Sequence, residues 1–277
     1  MITINNIGYD GRLGNQLFQI SALFGIAYKN NFVPSIPIEK NKQVKLNGCL
    51  DTFTGKWISY KLDLFDCFDI EINDNNGKIF ENTYKESHFH FDENAFNIKE
   101  NTNLQGFFQS EKYFEHIKDI VRQKLQFKND IKNKALDIIN KNKKTDIVSI
   151  HVRRGDYLGI QNQFPIMEVD FYQNAINEIS NNKEYQYFIF SDDIDWCKKV
   201  FGEDESIYYV EGNSHYVDLC IMSLCTHNIT GNSTFGWWGS WLNSNPNKKV
   251  VAPKKWFGPA LNHLNTKDLI PKEWIKI

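Results

Sequence analysis

The 277-residue chain has no run approaching 18 continuous apolar residues, so no segment reads as a membrane span. Its start, Met1-Ile2-Thr3-Ile4-Asn5-Asn6, lacks the basic head and apolar stretch of a secretory signal. Five cysteines, at positions 49, 67, 197, 220 and 225, form no CxxC pair. An odd count without a signal fits reduced thiols in a cytosol better than a disulfide framework. Excess positive charge is absent too: the net charge is −2 and the pI about 6.4, so no global field asks for nucleic acid. Neither GxGxxG nor Gly-Lys-Ser/Thr occurs, which removes the two commonest nucleotide-phosphate loops. What remains is a protein of ordinary composition, 41% hydrophobic and 24% charged, long enough for two medium domains or one large one.

The most informative stretch is Ile147-Val148-Ser149-Ile150-His151-Val152-Arg153-Arg154-Gly155-Asp156-Tyr157. Its front half reads as a buried strand and its back half as the loop leaving that strand, with Gly155 relaxing the backbone. Ligands of open α/β sheets gather at the carboxyl ends of strands. Two guanidiniums there can grip a diphosphate, because Arg offers a planar fork of permanent donors. The bland alternative is that Arg153, Arg154 and Asp156 form a structural ion-pair knot. The stretch alone leaves the two readings level.

Around this stretch the pattern is uneven. Thr3 to Ile7 reads as a short strand, followed by a loop with three glycines in seven residues, Gly8 to Gly14, and a helix to about Lys29. Strand, glycine loop and helix is a shape that brings backbone N–H groups to an anion or a sugar. Equally, a glycine turn by itself is a tight connection. Phe32 to Ile38 reads as extended, with Pro34 and Pro37 barring a central strand position. From about 40 to 100 no period holds, and the stretch reads as mixed structure with loops. Leu104 to Ser110 resembles a strand. Two helices follow, the first from Ser110-Glu111 and the second with Ile131, Ala135, Ile138 and Ile139 on one face. Lys141 to Thr145 is a solvated break, which sets the expected domains at 1–144 and 145–277, with the final residues free to pack back on the first.

Beyond the break, strands and helices of about ten residues alternate. Strands are expected to end at His151, Phe190, Val210, Thr230 and Ala252, with helices near Phe171–Asn181, Trp196–Phe201, Tyr216–Cys225 and Phe235–Leu242. That alternation implies right-handed crossovers and a parallel sheet covered on both faces. Three strand ends carry polar clusters: His151/Arg153/Arg154/Asp156, Ser191/Asp192/Asp193 and Asn232/Ser233/Thr234. In a parallel sheet all carboxyl ends point one way, so the clusters converge on one rim. Asp192 and Asp193 can bind a ribose or base, or one can cap the next helix. As a metal pair they lack further ligands at suitable spacing. Ser233 or Thr234 can be an N-cap, and the same helix end offers free N–H groups to a phosphate. Trp237, Trp238 and Trp241 at helical spacing favour core packing over sugar stacking.

Four segments in order carry a resemblance: Gly11-Arg12-Leu13-Gly14-Asn15-Gln16, His151-Val152-Arg153-Arg154-Gly155-Asp156, Ser191-Asp192-Asp193 and Asn232-Ser233-Thr234-Phe235-Gly236-Trp237-Trp238-Gly239. The chain resembles the bacterial α-1,2-fucosyltransferases of glycosyltransferase family 11, over nearly its whole length and most weakly from about 40 to 100. The resemblance implies an α/β GT-B fold: two Rossmann-like domains with parallel sheets facing across a cleft, the C-terminal one holding GDP-fucose. It implies that Arg153 binds the β-phosphate, with Arg154 beside it, that His151 supports the site and that Asp156 orients the loop. Asp192 or Asp193 would contact the guanosine, Asn232, Ser233 and Thr234 would meet the diphosphate, and Asn15 with the Gly14 loop would face the reaction centre. Arg12 stands where many bacterial members have glycine. Gly236, where serine is frequent, reads as neutral. The implied reaction is metal-independent, inverting transfer of L-fucose from GDP-β-L-fucose to O2 of a terminal galactose, with no cofactor. The implied acceptor is a surface polysaccharide (O-antigen) repeat, lipid-linked and met in the cytoplasm or at the inner membrane face. Asp156, Glu111 and Asp10 are candidate general bases. Competing readings are a fucosyltransferase of another linkage and a non-catalytic carbohydrate- or nucleotide-binding module.

Overall fold

The structure is a computed structural model that describes residues 1–9, 11–38, 48–50, 57–59, 61–181 and 183–277. Asp10 therefore lies outside the described residues, as does much of the stretch from 40 to 60. The described chain divides into two compact units. The first comprises the described residues up to Gln126 together with Leu264–Pro271; the second holds Phe127–His263 and Lys272–Ile277.

The first unit has a five-stranded, all-parallel sheet. Its strands are β1 (Ile2–Thr3), β2 (Pro34–Ile36), β5 (Asn73–Asp74), β6 (Asn82–Lys85) and β7 (Thr102–Gln105), in the order β5-β2-β1-β7-β6. A separate antiparallel pair joins β3 (Gly48–Leu50) and β4 (Trp57–Ser59). Strand β1 is shorter than the sequence suggests, because Asn5 and Asn6 enter a turn in which the Tyr9 amide donates to the Asn6 carbonyl. Strand β2 is not an edge strand, contrary to the expectation from its prolines: it pairs with both β1 and β5. Pro34 is its first residue and Pro37 follows its last, the positions at which a strand tolerates a missing N–H. The expected strand at 104–110 stops at Gln105, where Gly106 at φ 157° and Phe108 at φ 52° turn the chain. Ser110 opens two 3-10 turns rather than a helix, and α3 (Lys118–Lys124) begins only after them. Before it come α1 (Leu13–Asn30) and the single-turn α2 (Leu64–Cys67).

Helix α1 is buried along almost its whole length, which is why its apolar stripe widens to every face between Leu13 and Ala27. Gly25 lets it approach the 113–114 backbone: a Cβ there would lie 1.9 Å from the Tyr113 carbonyl oxygen.

The second unit has the regular half of the pattern. Its strands are β8 (Ile147–Val152), β9 (Gln186–Ser191), β10 (Ile207–Tyr209), β11 (His227–Thr230), β12 (Val250–Ala252) and β13 (Ile275–Lys276). They form one parallel sheet in the order β10-β9-β8-β11-β12-β13. The helices are α4 (Asn129–Asn142), α5 (Val169–Ser180), α6 (Ile194–Phe201), α7 (His215–Leu224) and α8 (Thr234–Leu242). Every residue of β8 is buried, as a central parallel strand requires. Val148, Ile150, Val152, Ile189, Ile229 and Val251 join one core with Tyr172, Ala175 and Ile179 of α5. Trp237, Trp238 and Trp241 are buried and pack on one another, so they serve the core. Helix α4 packs on α7 and groups with this unit, ahead of the 141–145 break where the sequence divides the chain. Leu264–Pro271 groups with the first unit, where the Ser110 hydroxyl donates to the Asp268 carbonyl at 2.7 Å, while β13 returns to the second sheet. No helix among the described residues is long and apolar enough to cross a membrane.

The crowding at Gly25 is directly testable. Gly25→Ala should destabilise the protein by about 1–3 kcal/mol, the usual range for overpacking. A thermal or urea unfolding midpoint equal to that of the wild type would show that the helix can move away.

Candidate active site

Parallel pairing puts His151 beside Phe190 on one side and Thr230 on the other. The loops leaving β8, β9 and β11 therefore emerge together, and the three polar clusters meet on the carboxyl rim of the second sheet. Arg153 is the hub. One guanidinium NH2 group donates to Asp156 Oδ1 and the other to Asp192 Oδ2, and the side chain is 17% exposed. The ion-pair knot considered from the sequence is thus present. It does not exhaust the guanidinium, which has five N–H donors. Its Cζ also lies 5.2 Å from the centroid of the Tyr157 ring, and the Tyr157 hydroxyl donates to the Asn232 carbonyl at 3.2 Å. Arg153 is therefore tied through Tyr157 to the loop that opens α8.

Arg154 turns the other way. Its Nε donates to Asp193 Oδ2 at 3.0 Å, and its guanidinium stacks 3.9 Å over the Trp196 ring. The adjacent aspartates have different tasks. Asp193 caps α6, accepting from the Trp196 amide at 3.3 Å. Asp192 accepts from the Arg154 and Gly155 amides at 2.9 and 3.1 Å, and from Arg153. Gly155 is needed for room rather than for an unusual backbone angle, since a Cβ would stand 2.5 Å from Asp192 Oδ2.

His151 is buried under this rim, its Nδ1 without a hydrogen-bond partner. Burial, with the nearby Arg153 charge, lowers its pKa to about 3. The ring is therefore neutral at pH 7. Gly236, in the first turn of α8, leaves space for it. A Cβ at 236 would lie 2.5 Å from Thr230 Oγ1 and 2.7 Å from His151 Nδ1. In this chain the space that a serine side chain would need at 236 is already filled.

Asn232 spends its side-chain amide on the Pro165 and Trp256 carbonyls, at 2.8 and 3.0 Å, and so fixes the loop before α8. Ser233 occupies the N-cap position in extended backbone, yet its hydroxyl makes no capping bond, and the first turn holds no acidic residue. Thr234 follows, half-buried. The first-turn amides of α8 thus lack a side-chain cap, the arrangement that suits an anion.

Gly14 and Asn15 belong to the first unit, in the first turn of α1. That helix also starts without a side-chain cap, from Arg12. Asn15 Oδ1 accepts from Gln109 Nε2 at 3.0 Å, and Gly11, at φ 99°, has no room for a Cβ beside Asn15. Gln16 organises the loop: its amide donates to the Gly11 and Lys61 carbonyls and its carbonyl accepts from the Asp63 amide. The sequence gives no role to Tyr157, Trp196 or Gln16, although Tyr157 directly follows the arginine motif. Glu111 begins a 3-10 turn, and Asp156 is engaged by Arg153. Among the described residues, no three His, Cys, Asp or Glu side chains gather as a metal ligand set.

Comparison with known proteins bears on this geometry. The family model described as Glycosyl transferase family 11 matches residues 1–277. An alpha-1,2-colitosyltransferase of Escherichia coli is 34% identical over 188 residues, spanning 65% of this chain and 64% of that protein, just under two thirds of its length. The O-antigen biosynthesis glycosyltransferase WbnK of E. coli is 29% identical over 96% of this chain and 98% of that protein. Human galactoside alpha-(1,2)-fucosyltransferase 1 is 23% identical over 50% of this chain and 42% of its own. Among solved structures, POFUT1 in complex with GDP superposes with a TM-score of 0.54 over 91% of this chain and 97% of that one, at 12% identity. At that identity the likeness establishes the fold, α/β and GT-B like with two parallel sheets.

The neutral His151 sets a pH dependence. Between about pH 6.5 and pH 3 the unfolded chain binds a proton that folded His151 refuses, so stability falls as pH drops through that window. His151→Gln should lose less of its urea midpoint than the wild type between pH 7 and pH 5. Equal losses would show that the ring can be protonated in place.

Proposed function

The chain belongs to glycosyltransferase family 11, and from that premise we propose that it transfers L-fucose from GDP-β-L-fucose to O2 of a terminal galactose on an O-antigen-type glycan, with inversion and without a metal. The second unit would hold the donor and the first unit the acceptor. The observation that carries the reading is the Arg153 guanidinium, clamped by Asp156 and Asp192 on the rim that also presents the amides of α8.

Breaking the bond between the sugar and the diphosphate leaves an oxocarbenium-like sugar and additional negative charge on the departing phosphate. Arg153 and the α8 amides would stabilise that charge as it develops, which lowers the barrier rather than merely tightening binding. Two carboxylates hold the guanidinium in place beforehand, so little reorganisation is needed at the moment of reaction. Asp192 would act through Arg153 and the 154–155 amides, leaving Asp193 and Arg154 to build the wall beside the nucleoside. His151 would contribute shape, since it stays neutral. A fixed guanidinium and a helix end can take up the leaving-group charge that a divalent ion neutralises in other transferases. The acceptor would be met at the cytoplasmic face of the membrane if it is carried on a lipid.

The sugar has a second reading. The colitosyltransferase relative favours colitose as the transferred group, whereas the human relative favours fucose. Both share the α-1,2 linkage in their names. Supplying GDP-fucose and GDP-colitose in competition to a panel of galactosides, and reading the product linkage by NMR, separates them. A 1,3 or 1,6 product would contradict the linkage, and binding of GDP-fucose without turnover would favour the non-catalytic reading.

In the same assay Arg153→Lys should lose about 100-fold or more in turnover, the cost of removing one well-placed donor to developing charge. Near wild-type rates would refute the role of Arg153. Transfer should persist in excess EDTA, and a strict requirement for Mn²⁺ or Mg²⁺ would overturn the metal-free step.

A further inference from the structure

The amino-end rim of the second sheet, opposite the Arg153 rim, carries a cavity that the donor chemistry does not use. It lies wholly within the second unit, where Lys144 precedes β8, Tyr185 and Gln186 lead into β9, and Glu205 precedes β10. Strands β8 and β9 are each six residues long, which puts the cavity roughly 20 Å from the Arg153 rim. Its volume of about 530 Å³ falls within the roughly 300–1,000 Å³ of small-ligand sites. The wall is fixed before any ligand arrives. The Tyr187 amide donates to the Ser206 carbonyl at 2.7 Å, and the Ser206 amide donates to Asp204 Oδ1 at 2.7 Å. Tyr185 is buried with its hydroxyl 3.1 Å from His227 Nε2, and Lys183 Nζ stands 4.9 Å from the centroid of the Tyr185 ring.

Charge, an open amide and an aromatic ring together define what this lining suits. Lys144 pairs with Glu205 at 3.1 Å and Lys183 with Asp146 at 2.8 Å. Each lysine has a carboxylate beside it, so the cavity offers no concentrated positive field to a phosphate. Gln186 is only 3% exposed, and its Oε1 accepts from the Lys144 amide at 2.8 Å. Its Nε2 makes no hydrogen bond among the described residues. A buried amide donor left in that state is costly, and a ligand oxygen in the cavity would relieve it. Tyr187 is half-buried on β9 and adds an aromatic ring to the wall. Its hydroxyl makes no hydrogen bond among the described residues either, and burial pushes its pKa up, so it keeps its proton.

We propose that this cavity is a second carbohydrate site, which takes a neutral pyranose of a glycan chain against Tyr187, with its hydroxyls met by Gln186 and the Lys144–Glu205 pair. A pyranose has an apolar C–H face and a girdle of hydroxyls that both donate and accept. A tyrosine ring beside an amide donor, an ammonium and a carboxylate answers both parts. A purely apolar ligand would leave the Gln186 amide unmet, and a phosphate would face the carboxylates. The assignment rests on the glycan part of the reading above, and not on which sugar is transferred or to which oxygen. It goes beyond that reading by giving the chain a hold on the glycan remote from the bond being made. Such a hold raises the effective concentration of a long glycan and does nothing for one too short to span the distance.

The probes are lactose and tri-N-acetyllactosamine, both neutral and galactose-terminated, added to the full chain saturated with GDP. With tri-N-acetyllactosamine, amide hydrogen exchange should slow at residues 185–187 and 204–206. Tyr187→Ala should weaken binding of that probe about tenfold or more and raise its KM as an acceptor by a similar factor. The kcat, and the KM for lactose, should stay at wild-type values. Should Tyr187→Ala fold poorly, Glu205→Lys alters an exposed side chain, sets a like charge against Lys144, and should weaken binding in the same way. Wild-type affinity for tri-N-acetyllactosamine in the folded variants, or slowed exchange confined to other residues, would overturn the site. The two readings fail separately. Binding at these residues without transfer to any galactoside would defeat the transferase reading and keep the site, whereas transfer without binding here would do the reverse.

Discussion

An arginine confined between two carboxylates at the end of a buried strand is the constraint around which the second unit is arranged. Arg153 could not hold its position by itself, because a long side chain loses about 2 kcal/mol of rotamer freedom when fixed. Asp156 and Asp192 supply the fixing. Asp192 is itself fixed by the Arg154 and Gly155 amides, so the loop and the guanidinium share one anchor. This explains the demand for glycine at 155, where any Cβ would collide with that anchor. The buried neutral imidazole of His151 fits the same scheme. A proton there would add a second positive charge beside Arg153 in a region with little water, and its low pKa expresses that cost.

The two units use one device twice. Each has a parallel sheet, and each presents a helix that begins without a side-chain cap, α1 after Arg12 and α8 at Ser233. Uncapped amides are costly unless water or a ligand answers them. Each loop is accordingly held by a neighbouring amide side chain, Gln16 in the first unit and Asn232 in the second.

Much of the second unit was legible in the sequence, because a parallel sheet buried on both faces forces a strict alternation of apolar strands and amphipathic helices. The order from β8 to β12 follows from that alternation, and the convergence of three polar clusters follows from parallel pairing. Strand β13 escaped because it is only two residues long and at an edge. The first unit was far less legible. Its strands are two to four residues long, too short for a period to show, and β2 lies inside the sheet despite its prolines. Close approaches such as those at Gly155 and Gly236 depend on atoms from other elements and have no signature in the chain. The division of labour between Asp192 and Asp193 likewise needed coordinates, since either could have been the cap.

The central claim is that the departing phosphate is met by Arg153 and the start of α8. A crystal structure of the protein with GDP tests it most directly. The account requires a β-phosphate oxygen at hydrogen-bonding distance from the Arg153 guanidinium, roughly 2.7–3.2 Å, with the diphosphate lying over the first-turn amides of α8. A diphosphate bound elsewhere, with Arg153 still turned wholly to Asp156 and Asp192, would contradict it.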